Sequence, residues 1–122
     1  MTRCLIVDGS SVVRKVAKRI LTTPSDLVVE ADNANSALGA FVSGKPDIVI
    51  VDGDLPDMEV TEFIRNIRSM RNMTQPTIIV MMAEMNLALM TKAKRAGAND
   101  YLLKPFDRTQ LTRRLHDLKR AA

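Results

Sequence analysis

The chain has no tryptophan, one tyrosine, one histidine and one cysteine. A lone cysteine closes no internal disulfide, so stability has to come from a buried apolar core. Cys4, inside the apolar run Cys4-Leu5-Ile6-Val7, is expected to be a buried thiol in a reducing compartment. One histidine without a Cys/His cluster excludes a zinc site built from those ligands. No apolar run reaches the ~18 residues of a membrane span, and the N-terminus enters a strand without a signal-peptide pattern; a cytoplasmic protein is expected. There is no internal repeat, linker or low-complexity segment. The 122 residues are 46% hydrophobic and 26% charged, enough for one core, and residues 1–122 are expected to form a single domain.

The net charge of +4 is unevenly placed. Residues 92–122 hold nine lysines and arginines against three acids, whereas residues 1–91 hold nine against eleven. The last quarter therefore attracts anions: phosphates, nucleotides or an acidic partner surface.

Apolar runs alternate with helically spaced segments five times. Strands are predicted at Cys4–Val7, Leu27–Val29, Ile48–Val51, Thr77–Met82 and Tyr101–Leu103. Ile48-Val49-Ile50-Val51 is uninterrupted, as in a strand covered on both faces. Helices are predicted from Ser10 or Ser11 to Leu21, Ala34 to Val42, Thr61 to Met70, Leu87 to Ala96 and about Thr109 to Arg120, with Gly44 and Gly97 as stops. Repeated strand–helix units imply an α/β sheet with right-handed crossovers, whose ligands bind at the carboxyl ends of the strands. Asp8, Asp52 and Lys104 each follow or close such a strand, so three charged groups are expected to meet in one crevice.

These residues, with Pro46-Asp47 before the third strand, Leu55-Pro56-Asp57-Met58 after it, and Gly97-Ala98 through Tyr101 to Lys104-Pro105-Phe106, resemble the receiver domain of two-component response regulators in its CheY-like single-domain form. The resemblance implies a flavodoxin-like, doubly wound five-stranded parallel sheet of order 2-1-3-4-5 with five helices. It implies that Asp52 accepts a phosphoryl group from a histidine kinase, that Lys104 faces the transferred charge, and that Mg²⁺ assists, held by Asp8, Asp52 and the residue at 54. It also implies a signalling module rather than an enzyme, with self-phosphorylation of Asp52 from a phospho-donor as its only chemistry. Phosphoryl transfer asks a protein for positioning and charge neutralisation, which suits such a site.

The sequence departs from the family pattern at three positions. Gly9 stands where the family has a second metal-binding acid, leaving Asp54 as the nearest extra carboxylate. Met82 stands where the family has Thr or Ser, and a thioether donates no hydrogen bond to a phosphoryl oxygen. Val60 stands where the family has Gly; a loop needing positive φ there would be strained. Gly53 is expected to leave the crevice without a roof, Asp57 and Glu59 to face solvent, and Arg65, Arg68 and Arg71 to form a solvated face. The resemblance is thus to a degenerate receiver, with phospho-switching weakened or lost.

The remaining features lie on the face of the fourth helix, fifth strand and fifth helix, which the resemblance implies meets partners. Met85, Met90, Lys92 and Tyr101 mark an adaptable partner face, with Met81 expected in the core. The partner implied by the resemblance is a histidine kinase or a flagellar or chemotaxis component. Arg95, Arg108, Arg113, Arg114 and Arg120 resemble the arginine-rich C-terminal helix of CheY-like proteins that bind cyclic di-GMP, an alternative reading, as is a conventional phospho-acceptor at Asp52. DNA is not expected as a partner, since no recognition-helix module is present.

Overall fold

Alternating faces of five short strands divide the molecule. The computed structural model describes the backbone of residues 2–121 and the side chains of residues 2–116. Its elements run β1 (Arg3–Val7), α1 (Ser11–Leu21), β2 (Leu27–Ala31), α2 (Ala34–Gly44), β3 (Ile48–Asp52), α3 (Val60–Ser69), β4 (Thr77–Met82), α4 (Leu87–Ala96), β5 (Asp100–Leu103) and α5 (Arg108–Ala121). All four pairings are parallel, in the order β2-β1-β3-β4-β5, as expected for a flavodoxin-like sheet.

Because side chains alternate along a strand, Val49, Val51, Val80 and Met82 face α2, α3 and α4. Ile48, Ile50, Ile79 and Met81 face α1 and α5. Met81 is fully buried, as the alternation predicts. Four helices start on a side-chain cap: Ser10 Oγ accepts from the Val13 amide, Asn33 Oδ1 from Ser36, Asn86 Oδ1 from Leu89 and Asp107 Oδ1 from Gln110, at 3.4, 2.8, 3.0 and 2.8 Å.

Several local expectations are corrected. Helix α2 does not stop before Gly44, which stays helical; Lys45 takes the left-handed cap at φ 48° and donates its amide to Phe41. Val60 is unstrained, because it opens α3 as a buried helical residue rather than sitting in a loop of positive φ. Asp57 is exposed but not idle: its two carboxylate oxygens accept the Ala34 and Asn35 amides at 2.8 and 3.0 Å, capping α2 from across the fold. Those hydrogen bonds hold its carboxyl below the ordinary value.

The largest correction is Arg68, which belongs to no solvated face. Its guanidinium donates twice to the Gly97 carbonyl (3.0 and 2.8 Å), and once each to the Pro76 carbonyl (2.8 Å), Gln75 Oε1 (3.1 Å) and Asn99 Oδ1 (2.9 Å). The contact needs Gly97: at φ 123° an L side chain is disfavoured, and a Cβ there would lie 2.7 Å from Arg68 Cγ.

Candidate functional site

Parallel pairing brings the carboxyl ends of β1, β3 and β5 to one edge. Asp8 follows β1, Asp52 closes β3, and Lys104 follows β5, with its amide tied to the Met82 carbonyl at 2.8 Å. Lys104 Nζ lies 3.0 Å from Asp8 Oδ2 and 3.2 Å from Asp52 Oδ1, so the three predicted charges do converge.

Asp8 is 2% exposed, and its second oxygen accepts the Ser10 amide at 2.8 Å. Arg14, a residue the sequence reading missed, fixes the same corner. It donates to the Asp8 carbonyl at 2.8 Å and through Nε to Glu30 at 3.2 Å. Asp52 Oδ1 also accepts the Asp54 amide at 3.2 Å. Burial, then the charge of Asp8, lifts the Asp52 carboxyl above its ordinary value against the pull of Lys104. Burial alone would lower the Lys104 ammonium, but hydrogen bonds and charges from Asp8 and Asp52 outweigh it and hold it above the ordinary lysine value. The arrangement is a partly desolvated carboxylate with one fixed cation beside it, suited to meeting a phosphoryl group.

The surroundings are less complete. Gly9 opens onto free space, the nearest atom to a Cβ built there being the Asp32 carbonyl oxygen at 4.0 Å. Met81 is paired opposite Asp52, Met82 follows it, and Ala83 comes next; none of the three carries a hydroxyl. Gly53 is not an open roof: a Cβ there would meet Leu89 Cδ2 of α4 at 2.8 Å and the Met81 carbonyl at 3.1 Å. A larger residue would press on the Met81 carbonyl and push aside the tip of Leu89, because α4 closes over the strand end.

The response regulator receiver domain model matches residues 4–116. The chain belongs to that family. It is 30% identical over 114 residues to chemotaxis protein CheY-3 of Vibrio cholerae, covering 93% of this chain and 88% of that one. It is 30% identical over 118 residues to a chemotaxis protein CheY homolog of Campylobacter jejuni, covering 95% and 91%. The solved structure of chemotaxis response regulator CheY4 of Vibrio cholerae superposes with a TM-score of 0.88 at 26% identity, covering 96% of this chain and 98% of that one.

Receiver domains bind Mg²⁺ for phosphorylation, and a hard dication is held best by anionic oxygens. This receiver offers Asp8 and Asp52, both turned to Lys104. Among the described residues no three acid, histidine or cysteine side chains are gathered to hold a metal ion, so Asp54 does not complete a set with them. The residues present fit a three-carboxylate ion site poorly.

The predicted partner face divides. Met85 and Lys92 line the crevice beside Asp52, whereas Met90 and Tyr101 pack against the core, the Tyr101 hydroxyl donating to the Met90 carbonyl at 2.6 Å. The arginines also have separate neighbours. Arg114 pairs with Asp100 at 3.5 Å, Arg108 donates to the Ile20 carbonyl at 3.4 Å, Arg95 and Arg113 are exposed, and the Arg120 side chain lies outside the described residues.

Proposed function

We propose that this receiver works in two-component, chemotaxis-type signalling by binding a protein partner, with phosphoryl switching at Asp52 weakened. The observation that carries the reading is the run Met81-Met82-Ala83 beside the Asp52–Lys104 pair. A phosphoryl group on Asp52 would find the ammonium but no hydroxyl to draw the β4–α4 loop inward. Without that differential contact, phosphorylation has little free energy with which to shift the receiver between conformations. Gly9 adds to this by withdrawing an anionic oxygen from the metal corner.

The remaining chemistry is simple. An Asp52 carboxylate oxygen forms the O–P bond as the donor's P–N bond to a phosphohistidine breaks, the imidazole takes a proton, and Lys104 faces the arriving charge. The relatives' names support the chemotaxis setting, and a buried thiol with no membrane-spanning helix among the described residues supports the cytoplasm. Acetyl phosphate with Mg²⁺, followed by amide resonances, tests the reading. Substoichiometric modification with α4 resonances unmoved is expected; full modification with an α4 shift that Asp52→Asn abolishes would overturn it.

A further inference from the structure

We propose that the crevice beside Asp52 is a docking groove for a basic amphipathic segment of a partner protein. The crevice, about 1220 Å³, runs between the loop after β3 and the start of α4. Its apolar lining includes Met58, Met82 and Leu89, and its lip is formed by Met85 and Leu87, which are 62% and 71% exposed. Two large apolar side chains held in water at the mouth of a groove lined by both apolar and charged residues mark a surface built to be covered. Thioethers adapt to different apolar shapes, which suits a bound helix face better than a small rigid ligand.

Charge selects the occupant. Asp52, Asp54, Glu59 and Glu84 line the crevice against Lys92 and Lys104. Lys104 is already bound by Asp8 and Asp52, which leaves Asp54, Glu59 and Glu84 facing Lys92 alone. This sign is opposite to the surplus of the last quarter of the chain, so the groove and the basic helices select different partners. A segment with lysine or arginine on one face and leucine on the other matches both rim and floor, its methylene stems extending the apolar contact. The inference goes beyond the switching reading, because it holds whether or not Asp52 accepts a phosphoryl group.

The test is a titration of the whole chain, with labelled methionine methyls, by a Leu/Lys amphipathic helical peptide of about 18 residues and by its Leu/Glu counterpart. The Lys peptide is expected to shift the methyls of Met58, Met82 and Met85, and its affinity to fall with added salt. Glu84→Lys and Leu87→Ser, both at exposed positions, are each expected to weaken it about tenfold or more. The Glu peptide is expected to leave those methyls in place. The proposal is overturned if the Lys peptide does not bind at roughly 100 µM, if its shifts fall elsewhere, if both peptides bind alike, or if Glu84→Lys leaves the affinity unchanged.

Discussion

The two edges of the sheet are built by opposite rules. At the amino edge, Arg68 joins the end of α3 to the entries of β4 and β5 with five hydrogen bonds, and Gly97 is shaped to let it pass. At the carboxyl edge a buried and a part-buried acid crowd one lysine, Met85 and Leu87 stand in solvent, and a glycine occupies a corner where a Cβ would meet no close contact. The first edge satisfies its polar groups at the sheet's margin and holds the fold. The second leaves a carboxylate destabilised and apolar surface uncovered, which is tolerated where binding or chemistry makes use of it.

Breaking the amino edge should cost the most. Arg68→Ala is expected to lower stability by about 3 kcal/mol, since one ion serves several acceptors, read as a lower urea midpoint at unchanged slope. Arg68→Lys should recover less than half of this, because an ammonium cannot span the same fork of carbonyls. Gly97→Ala should cost about 1–2 kcal/mol from its positive φ and the contact with Arg68. In an Arg68→Ala background that cost should shrink, so a double-mutant cycle reads the coupling directly. If the two losses add, the seam is not a unit. A smaller gain is expected from Lys45→Gly, roughly 0.5–1 kcal/mol, by relieving the left-handed cap of α2.

Acid titration sharpens the contrast through two aspartates of opposite sign. The folded Asp52 carboxyl titrates above its unfolded value, so in that window the native state holds more protons and stability from this group falls as pH rises. Asp52→Asn should therefore gain on the wild type between acid and neutral pH. Asp57 titrates below its unfolded value, so its contribution is present above the ordinary carboxylate range and is lost as pH falls through its folded value. Asp57→Asn should lose ground to the wild type over the same rise in pH. Lys104, held above the ordinary lysine value, stabilises at neutral pH and loses that contribution only as pH rises through its folded value. Parallel stability–pH profiles for Asp52→Asn and Asp57→Asn would show that the two carboxyls do not differ in this way.

Much of the fold was legible because burial leaves a periodic trace. Runs such as Ile48–Val51, and the spacing of Phe63, Ile64 and Ile67, follow from which faces are covered. The three strand-end charges were legible for the same reason, since a strand ending in an acid places that acid at the edge. Contacts to distant backbone leave no such trace. Arg68 has the composition of a surface residue, and its carbonyl partners lie 8 and 29 positions away. Asp57 caps a helix 22 and 23 positions earlier, and Gly53 is hemmed in by the Met81 carbonyl of β4 and by Leu89 arriving from α4. Lys45 shows that a nearby glycine does not by itself end a helix.

The proposed weakening of the switch combines the missing hydroxyl at Met82 with the missing acid at Gly9, and the most direct measurement of the second compares Mg²⁺-dependent phosphorylation by acetyl phosphate in the wild type and in Gly9→Asp. A side chain can be added there without crowding its first carbon, since a Cβ at Gly9 would lie no closer than 4.0 Å to the Asp32 carbonyl oxygen. Gly9→Asp is predicted to reach half-maximal phosphorylation at about tenfold less Mg²⁺ or lower, the effect of roughly 1.4 kcal/mol from one added anionic ligand. A wild-type protein that is fully phosphorylated at the same Mg²⁺ concentration as Gly9→Asp would contradict it.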